Sequence, residues 1–223
     1  MAEIGDIPVR LPPKQKLRTT LKSSNEVQIL HTYLRTVAQQ PRGQENGLRI
    51  LLQTCAEIGN ERFVEIVLNQ GANIDAANKS SLPALLYAVQ GGHGDTVKLL
   101  LSRGANINGT DNGKRTAVML AASSGKLEVL KILLDQCADI GVQDKQGRSA
   151  VTHAVSGGYA DALKVLFDYG ADARGRDIGG KTPVMYAASN VDCEILDLLL
   201  QHGADIHGVG YRWKRAIDAR YHE

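Results

Sequence analysis

The chain has 223 residues, 43% of them hydrophobic and 22% charged, with a formal net charge of +2. That composition is ordinary for one or two soluble domains, and no apolar run approaches the roughly 20 residues of a helical membrane span. The first 22 residues carry five bases (Arg10, Lys14, Lys16, Arg18, Lys22) against two acids (Glu3, Asp6), a local +3 that leaves the rest near −1, so the body is not a basic nucleic-acid-binding surface.

The opening segment, MAEIGDIPVRLPPKQKLRTT, lacks the apolar core of a signal peptide. With Pro12-Pro13 and scattered charge, residues 1–22 read as a basic, disordered tail. Residues 23–46 read as an N-terminal capping helix and loop. In SNEVQILHTYLRTVAQ, residues 24–39, Ser24 or Asn25 is the cap, and Val27, Leu30, Leu34 and Val37 share one face. Pro41 to Gly47 reads as a polar loop.

Residues 47–211 repeat themselves. Glycine-alanine pairs fall at Gly71, Gly104, Gly170 and Gly203, separated by 33, 66 and 33 residues. The missing member is Cys137-Ala138, where cysteine takes the glycine slot. Five units thus share one period without insertion or deletion. In TAVMLAASSGKLEVLKILLDQCADI, residues 116–140, Thr116 is a helix N-cap and Val118, Ala121 and Ala122 line one face of a short helix. Gly125 breaks that helix. A second helix carries Leu127, Leu130, Leu133 and Leu134 at helical spacing. The glycine slot is its left-handed C-cap, and DIGVQDKQG leads to the next unit. Thr182-Pro183 adds proline at a first helical position, where its missing donor costs nothing.

GKTPVMYAAS, LLLSRGANIN and DKQGRSAVTHA resemble the ankyrin repeat, over residues 48 to 211 with a partial copy after it. The resemblance implies an all-α solenoid of stacked antiparallel helix pairs with hairpin-like loops along one edge. It also implies a concave surface that binds other proteins. One unit cannot bury its own apolar face, but stacked neighbours can. Residues 212–223, within GYRWKRAIDARYHE, read as a partial C-terminal cap helix; either that helix suffices, or the chain is a segment of a longer protein.

Two departures from the family pattern stand out. The histidine slots of its "TPLH" motif hold Leu86, Met119, Thr152 and Met185, so the associated hydrogen-bond network between units is expected to be largely absent, with packing carrying the coupling. His153 lies one residue out of register and reads as a helix-surface or core residue. The second departure is Cys137, since a non-glycine residue in a left-handed cap costs about 1–2 kcal/mol.

No catalytic constellation emerges, and neither a cofactor nor a metal site is expected. The glycines of GGHGD, Gly91 to Asp95, fall at an inter-helix turn rather than in a phosphate loop, and His93 belongs to that turn. The six histidines are dispersed, and His202 and His207 lack a third ligand. The cysteines Cys55, Cys137 and Cys193 are odd in number and without metal spacing, which fits reduced thiols in an intracellular protein, cytoplasmic or nuclear.

The loop residue before successive first helices is Arg115, Arg148, Lys181 and Lys214, each 33 residues from the last, which lines one edge with positive charge. The second helices are acid-rich. Exposed ion pairs contribute only ~0.2–1 kcal/mol each and mainly steer encounter. Apolar anchors must supply the rest, and Leu82, Ile178, Tyr211 and Trp213 are the candidates in the loop tips. Alternatively, the loop cations serve solubility, and Trp213 caps the last repeat. The family resemblance adds one modification site: Asn108 matches the loop asparagine that an oxygen-dependent enzyme hydroxylates, with Leu100 eight residues upstream. The expected function is a non-catalytic scaffold, adaptor or inhibitor binding a protein partner, an acidic segment among the options; the alternative is a regulatory or targeting segment of a larger multidomain enzyme. Nucleic acid is disfavoured, no membrane insertion is expected, and oligomeric state is left open.

Overall fold

The computed structural model describes residues 14–21, 26–39, 44–77, 82–190 and 192–205. Among these residues there are twelve α-helices, and the only β-type pairing is an isolated bridge between Thr110 and Thr116. The chain divides into two compact units, residues 1–105 and 106–223.

The first unit begins with α1 (Lys14–Thr20) and α2 (Glu26–Ala38) and continues with two helix pairs, α3 (Gln44–Ile58) with α4 (Glu61–Asn69) and α5 (Ala84–Gly91) with α6 (Gly94–Ser102). α3 packs on α5 and α4 on α6, while α1 lies on α3, and α2 on α3 and α4. The core is aliphatic: Leu51, Leu52, Phe63, Val64, Leu85, Leu86, Val97 and Leu100 are almost wholly removed from water. Each such side chain contributes about 1.5–3 kcal/mol.

Two sequence expectations change here. Residues 14–20 are helical rather than part of a disordered tail, because Leu17 and Leu21 are fully buried against the α3 side and a salt bridge joins Arg18 to Glu57 at 3.0 Å. The polar loop expected over 41–47 gives way at Gln44, where α3 starts. Gly47 lies inside that helix, where a Cβ would stand 2.7 Å from a Val37 methyl, so glycine lets α2 close this tightly onto α3. The expected cap face of α2 is partly realised, with Leu30 and Val37 buried.

The second unit contains three helix pairs: α7 (Ala117–Ser123) with α8 (Leu127–Asp135), α9 (Ala150–Gly157) with α10 (Ala160–Asp168), and α11 (Pro183–Asn190) with α12 (Cys193–Gln201). The first helices form one row, α7 on α9 on α11, and the second helices another, α8 on α10 on α12. The first helices are short and rich in alanine and valine, which allows close approach; Ala117, Ala121, Ala122, Ala150, Ala154, Ala187 and Ala188 are all buried. Capping follows the sequence signals. The hydroxyls of Thr116, Ser149 and Thr182 accept from the N–H groups of Met119, Thr152 and Met185, each at 3.4 Å. Pro183 is the first residue of α11. Cys137 does adopt the left-handed conformation of the slot, with φ 59°, where Gly71, Gly104, Gly170 and Gly203 have φ between 75° and 87°.

The packing that couples successive pairs has a specific device. An aromatic ring forms a wedge between neighbouring pairs. The His93 imidazole lies so close over Gly59 and Gly91 that a Cβ on either would meet it at 2.4 and 2.3 Å, and its Nε2 bonds the Glu57 carbonyl at 3.0 Å. Tyr159 does the same one double-period later, over Gly125 and Gly157, with hypothetical Cβ contacts of 2.4 and 2.6 Å. On the outer row, Lys164 bridges Asp161 and Glu194, and the Tyr169 hydroxyl donates to Asp135. The acidic bias of the second helices is therefore partly neutralised locally.

Candidate functional site

The loops that precede α7, α9 and α11 are built alike, and each forms a tight finger. In each, an aspartate N–H bonds the carbonyl four residues on, at 3.0 Å: Asp111 to Arg115, Asp144 to Arg148, Asp177 to Lys181. The aspartate carbonyl in turn accepts from the third residue along, Lys114, Gly147 or Gly180. That third residue is left-handed in all three fingers, φ 60°, 75° and 77°. Lys114 thus occupies a slot that glycine fills in the other two.

The aspartate side chain staples the finger from within. Asp111 Oδ1 accepts from the N–H groups of Gly113 and Arg115, at 2.7 and 2.8 Å, and its Oδ2 accepts from Arg115 Nε at 2.7 Å. Asp144 repeats the pattern with Gln146, Arg148 and Arg148 Nε, at 2.8, 2.9 and 3.0 Å. Asp177 keeps the two backbone bonds, from Gly179 and Lys181. The expected row of loop cations is present at Arg115, Arg148 and Lys181, but two of its three members hold their own aspartate. The side chains of Asp111 and Asp144 are 4% and 0% exposed. In these two fingers the acid is withdrawn from solvent, whereas Asp177 of the third finger stays part-exposed.

A ninth residue completes two of the staples. His153 Nε2 lies 2.9 Å from Asp144 Oδ2, and the Tyr186 hydroxyl donates to Asp177 Oδ2 at 2.6 Å. His153 is a core residue, 7% exposed. Its burial holds the imidazole below its ordinary range, and the Asp144 bond only partly offsets this. Burial opposes ionisation of Asp144, but the Arg148 N–H and guanidinium, His153 and the Gln146 N–H outweigh it and keep the carboxyl low. The Tyr186 bond lowers Asp177 and raises the phenol in exchange. Sequence reasoning missed these aspartates and their ninth-residue partners. The signal was present: Asp111, Asp144 and Asp177 keep the 33-residue register, as do His153 and Tyr186.

Adjacent fingers are joined edge to edge. Lys145 N–H donates to the Gly113 carbonyl at 2.8 Å, and Ile178 N–H to the Gln146 carbonyl at 2.9 Å. Asn108 links neighbouring loops as well, its exposed amide oxygen accepting from Asp139 N–H at 2.9 Å. Ile178 projects to solvent and is 81% exposed. Lys181 is also exposed, its Nζ 5.7 Å from the centre of the Tyr186 ring. Leu82 is half-buried, and its backbone carbonyl accepts from Gln53 Nε2 at 2.8 Å. Tyr211, Trp213 and Lys214, like His207, lie outside the described residues.

Among the described residues no group of three or more His, Cys, Asp or Glu is placed to hold a metal ion. His202 stacks on Phe167 with ring centroids 4.0 Å apart and bonds the Leu198 carbonyl. Burial pushes the Cys55 thiol up to about 12, which makes it inert. No helix among the described residues is long and apolar enough to cross a membrane.

A family model described as ankyrin repeats matches the chain in three overlapping copies, over residues 23–111, 51–144 and 118–208. No curated protein matches the chain.

Proposed function

The chain belongs to the ankyrin-repeat family, whose members are generally protein-interaction modules, and on that premise we propose that it is a non-catalytic scaffold, adaptor or inhibitor that grips a protein partner with the finger edge of its second unit. The observation that supports this reading is the finger construction. Asp111 and Asp144 turn inward and are spent on shape, while Arg115, Arg148 and Lys181 stand in one register, the two arginines part-exposed and Lys181 exposed. A surface so arranged is preorganised, which lowers the entropy lost on binding. Its charge favours an acidic partner and accelerates encounter. Apolar contact must add most of the roughly 8 kcal/mol that micromolar affinity requires.

The test is affinity capture with mass spectrometry, comparing the wild-type chain with Arg115→Glu/Arg148→Glu/Lys181→Glu. A second variant, Lys114→Glu/Lys145→Glu, reverses charge without touching an aspartate staple. Loss of the same partners from both variants, with helical content retained, supports the reading. Retention of every partner by both refutes a role for the finger edge.

A further inference from the structure

Ile178 is anomalous for its position. The other large apolar residues that reach solvent among the described residues, Tyr159 and Tyr169, are 39% and 42% exposed, against 81% for Ile178. Both tyrosines are also engaged: Tyr159 wedges between two glycines and Tyr169 bonds Asp135. Ile178 instead has its backbone fixed and its side chain free. Its N–H is bound to the Gln146 carbonyl, and the adjoining finger is so close that a Cβ on Gly147 would stand 3.0 Å from the Ile178 nitrogen. In the same register the neighbouring fingers carry the polar residues Asn112 and Lys145. An aliphatic group gains nothing from holding this finger together, since the aspartate staple and the backbone bonds already do so.

The ground around Ile178 carries more cations than acids: the one acid of its own finger, Asp177, is part-exposed and accepts from the Tyr186 hydroxyl. Arg176 and Lys181 sit on its own finger, and Lys145 on the adjoining one, all exposed. Arg176 reaches Asp205 at 3.2 Å, whereas Asp144, the acid of the adjoining finger, is buried beneath it. A branched aliphatic group without stacking capacity offers little to a nucleic acid, which engages single-strand binders through aromatic platforms. It suits a peptide side chain that can exclude water with it.

We propose that Ile178, with Lys145, Arg176 and Lys181 around it, is the anchor point for an acidic protein segment that carries an aliphatic or aromatic side chain. The proposal rests on the protein-interaction reading above and specifies the chemistry of the partner. Charge complementarity orients the segment across the joined fingers, and contact with Ile178 fixes its register.

The experiment is selection of a random dodecapeptide display library on the full chain. Enriched peptides are then titrated by fluorescence anisotropy against wild type, Ile178→Ser and Lys145→Glu/Lys181→Glu, with a twenty-residue oligothymidylate as competitor. The expected peptides are net negative with at least one large apolar residue. Ile178→Ser weakens them about ten-fold or more, the loss that follows from forgoing burial of one such side chain. Replacing the peptide's apolar residue by serine costs little further in the Ile178→Ser background. The lysine variant weakens binding and flattens its salt dependence. If peptides are enriched but bind Ile178→Ser as tightly as wild type, the anchor is wrong while the protein-interaction reading survives. If no peptide is enriched, the anchor for a linear acidic segment is overturned, while the protein-interaction reading is decided by the affinity capture above. If the oligothymidylate displaces the peptides and binds Ile178→Ser undiminished, the edge is a general polyanion surface and the proposal is overturned. Ile178 is at the surface, so an unchanged thermal melt for Ile178→Ser separates lost contact from lost fold.

Discussion

Replacing Asp144 by alanine is expected to destabilise the second unit far more than the same change at Asp111. Both aspartates accept two backbone N–H bonds and one from an arginine Nε. Asp144 alone also holds a buried histidine, where the first finger has Leu120 in register. Hydrogen bonds to a charged acceptor are worth about 1.5–3 kcal/mol each, and stranding a buried partner adds its desolvation cost. Arg115 and Arg148 keep access to water, with side chains 41% and 29% exposed, so their lost ion pairs count for little. The backbone donors at the finger surface can recover water as well. These considerations put Asp111→Ala at about 2 kcal/mol. Asp144→Ala loses the same bonds and removes the hydrogen-bond partner of the buried His153 ring, for about 3–4 kcal/mol. Asp144→Asn, which can keep the two backbone bonds through Oδ1, should fall between. Equilibrium urea unfolding followed by far-ultraviolet circular dichroism measures all three, with hydrogen exchange to place the loss in the second unit where a repeat array unfolds in parts. Equal costs for the two alanine variants, or a cost under about 1 kcal/mol for Asp144→Ala, would refute the staple argument.

The same cluster sets a pH response. His153 titrates lower in the folded protein than its ordinary 6.5, and Asp144 lower than 3.8. Both contributions are complete above the unfolded values; the histidine part is lost as pH falls from 6.5 through its depressed folded value, the aspartate part below 3.8. The urea midpoint should therefore drop between pH 7 and 5, and His153→Gln, which can still donate to Asp144 but does not titrate, should flatten that drop; an unchanged slope counts against it. Cys137→Gly and Lys114→Gly each relieve a left-handed residue and should raise stability by about 1 kcal/mol, read as a higher urea midpoint; no gain at either means the strain is absorbed elsewhere. Gly157→Ala should press on the Tyr159 ring and the Ser123 carbonyl and cost about 1–3 kcal/mol, read as a lower urea midpoint; no loss would show that the wedge is dispensable. Hydroxylation of Asn108 should appear as one added oxygen in the intact mass of protein from its native cell, and its absence there dismisses the site.

The parts of this molecule that were legible in sequence are those whose signal is local. Thr116, Ser149 and Thr182 announce helix starts through chemistry two or three residues away, and the left-handed slot at Cys137 is identified by glycine in every other copy. The parts that were not legible depend on what a segment meets after folding. The segment Lys14–Thr20 offers a single internal leucine, too little periodicity to mark a helix, and is held by contact with α3. The basic row was visible at Arg115, Arg148 and Lys181, but the orientation of the aspartates four residues earlier is set by the turn, not by composition. His153 could be read only as a helix-surface or core residue, its purpose not visible, because Asp144 comes within reach only once the finger folds back.

The ring wedges at His93 and Tyr159 bear on how such a chain can be edited. Each ring draws one glycine from its own helix pair and the other from the pair before it, Gly91 with Gly59 and Gly157 with Gly125. A single repeat transplanted into a foreign array would arrive with half of its socket, leaving an aromatic group to collide with whatever side chain the new neighbour presents. Two-repeat blocks are thus the smallest modules that can be exchanged or duplicated across these junctions without rewriting the seam.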